Sequence, residues 1–361
     1  PLLNLSKVDK YLIYSYLFYF VTFVLSLSIN GGKMRDLDTA SRVIFFVPVL
    51  LLLLKYPIKT CVLSYSIPLG SIISLCVALY DKFILNLRPE QNPRIMHIQG
   101  GDISMSLGIF SLIIALYAHQ KKDIKLTTLS VIGGLCGIVG SLLSTARGGW
   151  VALPVLLIVI LYIYRHSLSK RFFLTFFGII VVASIGISQM PNNRIMERID
   201  VAQKDIQLYL DNHDGNTSLG ARFEMWKSAL EMAKEKPLFG WGIQGATEKR
   251  KQETEEKIAT GNIGQFTHAH NQYLDDLSKR GVVGLLALLA VLFIPLRAFM
   301  KKLNTTNDEI KLIATLGVAH ILSVMIYGLS QGFLVHNSGT IFYFFLTIVF
   351  YTAIRTRQKA E

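Results

Sequence analysis

Residues 126–164 form a run of 39 residues with one charged side chain, Arg147. A run of this length is difficult to hide in a water-soluble domain, whereas about 20 consecutive apolar residues cross a bilayer as a helix. The pattern recurs along the chain. Ten apolar segments can be drawn, at roughly 11–29, 43–54, 60–80, 103–118, 126–145, 150–164, 172–190, 282–299, 312–330 and 333–354. In hydrocarbon each span must satisfy its own backbone hydrogen bonds, which favours helices. The predicted class is therefore all-α, a polytopic integral membrane protein with about ten visible transmembrane helices. Residues 1–190 hold the first seven, 191–280 form one large loop with helical character, and 281–361 hold the last three and a tail. Charged residues make up only 17% of the chain, against about 25% in a typical soluble domain. Disorder, a collagen repeat and a disulfide scaffold are excluded on the same grounds. Cys61, Cys76 and Cys136 all lie in apolar runs without metal-ligand spacing and read as small packing residues.

The net charge of +13 does not point to nucleic acid. Segment 191–280 carries 13 basic and 14 acidic residues, so the positive excess lies in short loops between apolar runs. One alternate set of loops holds 17 Lys and Arg, among them Lys7, Lys10, Lys121, Lys122, Lys125, Lys301, Lys302, Arg355 and Arg357, and the other set holds 7. The richer set is expected in the cytoplasm. Both termini are then inside, and 191–280 faces the periplasm or its equivalent. The chain opens on Pro1 rather than Met, so the natural start is expected upstream.

Three short polar stretches carry residues suited to chemistry. Arg147 sits in Ser144-Thr145-Ala146-Arg147-Gly148-Gly149-Trp150, a turn between two apolar runs. It reads either as a snorkelling arginine at a hairpin tip or as a ligand for lipid phosphate, whose oxygens a planar guanidinium meets at two points. The second stretch is Thr217-Ser218-Leu219-Gly220-Ala221-Arg222. Ser218 is the expected N-cap of an amphipathic helix with Phe223, Trp226, Leu230 and Ala233 on its apolar face. Arg222 in its first turn opposes the helix dipole, a conflict that a bound anion relieves; the alternative is an exposed surface arginine. The third is His268-Ala269-His270-Asn271, just before the apolar run at Gly281. A His-x-His pair without a third ligand argues poorly for metal, and none is expected. A general base, oriented by Asp275 or Asp276, competes with a histidine bonded to backbone at a helix entry. Arg88, Arg94 and His97 lie in one outer loop and His336-Asn337 in another, where structural roles come first and Arg94 stands as a substrate-binding candidate. Gly133, Gly137 and Gly140 are expected to permit close helix packing. The stretch 248–257 alternates in sign and reads as a solvated helix face.

Taken together, Thr145-Ala146-Arg147, Ser218-Leu219-Gly220-Ala221-Arg222 and His268-Ala269-His270-Asn271 resemble the motifs of the O-antigen ligases, in the superfamily that also holds O-antigen polymerases and O-linked oligosaccharyltransferases. The ligase pattern is His, then Asn, Ser or Gln, nine residues, Gly, two residues, Thr. Here His270-Asn271 is followed by Gly281 as the pattern asks, with Gly284 where threonine is expected. The family usually has twelve spans; either the missing two precede Pro1 or this member is short. The resemblance implies transfer of a polysaccharide from an undecaprenyl diphosphate carrier to a sugar hydroxyl of lipid A–core, at the periplasmic face of the bacterial inner membrane. It implies no metal, no ATP and no other cofactor, and inversion at the anomeric carbon. His270 is then the catalytic base and Arg222 and Arg147 steady the departing diphosphate, with Arg94 and His268 as further substrate contacts. Three other readings compete: an O-antigen polymerase, a protein O-oligosaccharyltransferase and, in a different class, a transporter. The last is disfavoured because acidic residues between Lys10 and Lys170 read as loop residues and no half-helix signature repeats.

Overall fold

The structure is a computed structural model and describes residues 4–87, 96–166, 168, 169 and 194–357. All regular structure among these residues is helical. The helices are α1 (Lys7–Asn30), α2 (Asp38–Lys55), α3 (Thr60–Phe83), α4 (His97–Gln120), α5 (Ile124–Ser144), α6 (Arg147–Tyr164), α7 (Arg194–Asn212), α8 (Ser218–Glu235), α9 (Gly242–Glu255), α10 (Gln272–Met300), α11 (Asp308–Tyr327) and α12 (Asn337–Arg357). Among the described residues nine helices are long and apolar enough to cross a membrane, namely all except α7, α8 and α9. The chain is a polytopic all-α membrane protein. The expected segment 172–190 lies outside the described residues, as do Arg88 and Arg94.

Helices α4, α11 and α12 are the most enclosed, and α1, α2, α3, α5 and α6 surround them. The expected glycine packing is present at Gly133 and Gly137. A Cβ on Gly137 would sit 2.5 Å from the Gly108 Cα, and one on Gly133 would sit 2.8 Å from the Pro68 Cα. The outer helices turn large apolar side chains outward, including Phe45, Ile73 and Ile158. Against lipid this exposure is favourable. The same logic corrects the reading of the cysteines: Cys61 and Cys76 are exposed and Cys136 is half-buried. A small apolar side chain gains little from burial when lipid is its alternative.

Side-chain contacts sort the loops into two ends. At one end Arg355 reaches Asp9 (3.5 Å), Arg357 pairs with Glu309 (2.9 Å) and Lys121 with Asp308 (2.7 Å). The more basic loops gather there. At the other end Ser26 Oγ donates to the Lys279 carbonyl (2.9 Å), Gln244 to Asp36 (3.0 Å) and Thr39 to Asn337 (3.0 Å). Helices α8 and α9 rest on this second end. Asp81 and Asp102 are not loop residues, as the sequence suggested; both are buried in helix turns near this end, in α3 and α4.

Helix α10 is broken at Gly281, whose φ is +65°. The turn after α8 plugs into the break. Val282 N–H donates to the Pro237 carbonyl (2.8 Å) and Trp241 N–H to the Ser278 carbonyl (2.9 Å). A Cβ on Gly281 would lie 2.3 Å from backbone atoms of Leu238. Both the left-handed conformation and the backbone contact demand glycine here. Gly281→Ala is expected to lower the stability of the purified protein by about 2 kcal/mol or more, read as a fall in melting temperature in detergent. Gly284 has a local reason too. A Cβ there would stand 2.2 Å from the Arg280 Cβ. Arg280 is buried, bridged to Asp276, with its guanidinium over the Phe23 ring (3.8 Å). A threonine at 284 would displace it.

Candidate functional site

Helix α8 is capped by Thr217, one residue before the expected Ser218; Thr217 Oγ1 accepts from Gly220 N–H (3.0 Å). Arg222 therefore falls in the second turn, and the dipole conflict inferred from the sequence is smaller than expected. The buried face of α8 also differs from the expected one. Met225, Ala229 and Met232 are buried, while Phe223, Trp226 and Leu230 line an open apolar groove with Ile206, Tyr209 and Leu210 of α7. The reason is that the loop before α10 covers the methionine face, which no local periodicity encodes.

That loop, residues 266–270, is held by four buried or half-buried side chains. Ala269 N–H donates to Asp275 Oδ1 (2.9 Å), and Trp226 Nε1 donates to the Ala269 carbonyl (3.1 Å). Lys279 Nζ donates to the Thr267 carbonyl (2.9 Å) and Arg250 Nε to the Phe266 carbonyl (3.2 Å). Arg250 is fully buried, which corrects the reading of 248–257 as solvated throughout. The short turn Ile263–Gln265 packs over that side of α9 and closes it from water. Asp275 also pairs with Lys279 (2.8 Å), and Asp276 with Arg280. Neither carboxylate bonds an imidazole, contrary to expectation. They anchor backbone and neighbouring cations because both lie on the inner face of the first turns of α10. Asn271 caps that helix, its Oδ1 accepting from Tyr273 N–H (3.0 Å) and Leu274 N–H (3.1 Å).

Held this way, His270 takes a left-handed backbone conformation (φ +48°) and turns its ring into a cavity of about 320 Å³. Arg222 lines the same cavity, with Thr217, Ser218, Asn216, Asn262, Gln265 and Phe266. The Phe266 ring meets the His270 ring edge-on at 5.4 Å. Arg147 opens α6 behind Thr145, which is also left-handed (φ +63°). Its charge reaches Arg222: burial first, and then the Arg147 charge, lower the Arg222 pKa. Among the described residues neither guanidinium is in an ion pair. Among the described residues no carboxylate lines the cavity. A half-buried guanidinium in such a cavity, with a second positive charge acting on it, suits an anion. The hydroxyls and amides around it suit a polyol.

His270 Nδ1 lies 2.7 Å from Gln331 Oε1. Burial lowers the His270 pKa, the Gln331 bond partly offsets this, and the Arg222 charge lowers it further. His268 is 4.4 Å away ring to ring, buried outside the cavity lining, with its pKa pushed down to about 3 by burial and then by His270. His336, read from the sequence as structural, lies 5.6 Å from His268. Burial, then the charges of His270 and Lys279, lower its pKa too. Among the described residues no group of three His, Cys, Asp or Glu is arranged to hold a metal ion. Of the five site residues taken from the sequence, Arg222 and His270 share a cavity, Arg147 lies outside its lining although its charge is felt at Arg222, His268 stands behind His270 and Arg94 lies outside the described residues. The sequence did not single out Gln331. Its only signal was a polar residue in the short stretch between two apolar runs.

A multi-pass membrane protein with a cationic, hydroxyl-lined cavity at one end of its bundle is thus defined. Residues 129–289, which include positions 147, 222 and 270, match the family described as O-antigen ligase. Across 348 residues, 96% of this chain and 87% of the relative, the chain is 42% identical to an uncharacterized protein of Haemophilus influenzae. Through residues 129–289 the chain belongs to the O-antigen ligase family, membrane glycosyltransferases of the ligase and polymerase type.

Proposed function

We propose that the protein transfers a polysaccharide from undecaprenyl diphosphate to a sugar hydroxyl of lipid A–core, without nucleotide, metal or other cofactor. The observation that carries this reading is the cavity shared by Arg222 and His270, with no carboxylate in its lining among the described residues. The hydroxyl oxygen attacks the anomeric carbon from the face opposite the diphosphate, so the configuration inverts. The carbon–oxygen bond to the diphosphate breaks, and its electron pair leaves with the phosphate oxygen. His270 takes the hydroxyl proton. Arg222 and Arg147 meet the charge that grows on the leaving group, a contribution of about 3 kcal/mol per donor in a dry site. Because a lipid diphosphate is already a good leaving group, no nucleotide site is needed. Arg94 serves as a further phosphate contact and His268 as a support for the donor side of the site.

The excess of basic residues at the opposite end of the bundle supports a cytoplasmic location for that end. The site then faces the periplasm of the inner membrane, where both substrates are lipid-anchored.

The test is incubation of purified protein with undecaprenyl-linked glycan and lipid A–core, with chelator present and nucleotide absent. Transfer to the core is expected. Gly284 in place of the ligase threonine favours one second reading, a polymerase that uses another lipid-linked glycan as acceptor. Product growing on the undecaprenyl carrier, with none on the core, would select it. The direction of the His270 shift adds a pH prediction. With its pKa below the ordinary 6.5, the imidazole stays neutral through pH 7 and into the acid side. The acid limb of the rate should therefore have its midpoint below pH 6.5. A profile halved already at pH 7 would contradict the assignment.

A further inference from the structure

Between the candidate base and a third imidazole stands one buried amide. Gln331 is 1% exposed and sits in the stretch joining α11 to α12. Its Oε1 is 2.7 Å from His270 Nδ1. Its Nε2 is 3.6 Å from Met96 Sδ and 3.2 Å from His336 Nε2. A carboxamide oxygen only accepts and its nitrogen only donates. Turning the amide over would face its oxygen toward the Met96 sulfur, which has no proton to give. In the orientation found, the amide oxygen faces His270 and the amide nitrogen faces the Met96 sulfur and His336 Nε2. The proton between His270 and Gln331 belongs to Nδ1, and the proton of His336 belongs to its own Nδ1. His270 lines the cavity and Gln331 does not, so the ring edge carrying Nε2 is the one left toward substrate.

We propose that Gln331 is the positioning residue for His270, holding the imidazole in the Nδ1–H tautomer so that Nε2 presents a lone pair to the acceptor hydroxyl. The assignment rests on the reading of His270 as the base. A neutral partner suits this site better than a carboxylate. Hydrolases commonly orient a histidine with a negatively charged group, which also steadies the imidazolium. Here the donor carries a diphosphate, and a negative charge beside the base would repel it. The amide fixes the tautomer without adding charge. The other groups facing His270 are Arg222 from α8, His268 in its own loop, Asp275 at the head of α10, and His336 across the amide. Only Gln331 bonds the ring at Nδ1 among the described residues.

The test uses full-length protein in detergent or nanodiscs, with undecaprenyl-linked glycan and whichever acceptor the wild type uses. Gln331→Met keeps the volume and removes the acceptor. It should lower kcat by ~10- to 100-fold, the usual loss for a group that orients an essential imidazole, with donor KM within about twofold. Gln331→Glu restores an acceptor at the same reach. It should recover part of the kcat lost in Gln331→Met, with a raised donor KM from charge repulsion, and move the acid limb of kcat/KM to higher pH, because a carboxylate raises the proton affinity of His270. A merely structural amide would produce neither the rescue nor the shifted limb. Wild-type kcat in Gln331→Met, or an unmoved limb in Gln331→Glu, would overturn the assignment. If Gln331→Met does not fold, the limb of Gln331→Glu decides alone. His270→Ala separates the two claims. An inactive His270→Ala beside a fully active Gln331→Met removes the positioning role and leaves the base, whereas a fully active His270→Ala removes both.

Discussion

His270→Ala is expected to leave a folded membrane protein whose glycan transfer falls by about 10³-fold. The side chain makes one polar contact among the described residues, to Gln331, and its loop is held by Asp275, Lys279, Trp226 and Arg250 through backbone atoms. Removing the imidazole therefore leaves the anchoring intact, so expression and melting temperature should stay near wild type. The loss falls on proton transfer, for which a positioned base contributes about 10²- to 10⁴-fold. In cells the variant should yield core lipid A without long chains on a lipopolysaccharide gel. A normal ladder from the variant would rule out His270 as the base. At φ +48° the backbone of position 270 is mildly strained for a residue with a side chain. His270→Asn, which tolerates that conformation well, is the better control for folding.

The second large effect is expected at Arg222. Arg222→Lys keeps the positive charge and should still lose about 10²-fold in kcat. A guanidinium presents a planar fork that matches two phosphate oxygens, and an ammonium is a point charge on a flexible stem. An ammonium is also more strongly hydrated than a guanidinium, which counts against it in a half-buried site. The apo protein should become no less stable, because Arg222 is half-buried beside a like charge and in no ion pair among the described residues. Full activity of Arg222→Lys would remove the two-point contact from the mechanism. Loss of activity together with loss of folding would assign Arg222 to structure instead.

The two effects differ in how far local sequence reveals their cause. Arg147, Arg222 and His270 stood out as costly or chemically able groups beside apolar runs, and all three lie at one end of the bundle. The partner of the imidazole did not stand out. Asp275 and Asp276 were the natural choices by proximity in sequence, five and six residues on. Their places on α10 direct them to Ala269 N–H, Lys279 and Arg280. Gln331, 61 residues away, takes the Nδ1 position instead. Arg250 likewise reads as solvated in a run of alternating charge and is buried beneath a turn that its own neighbours do not predict.

Hydropathy alone settled that the chain is a bundle of membrane-spanning helices, and roughly where nine of them lie. This follows because lipid leaves a lone segment no way to satisfy its backbone except as a helix, so length and apolarity suffice. The sequence also marked Gly133 and Gly137, whose missing side chains let α5 approach α3 and α4. Tertiary structure alone decided which face of α8 is covered, why Gly281 must be glycine, and which group holds His270. Those outcomes depend on side chains brought together from distant parts of the chain, and no local period records where a neighbouring element will pack.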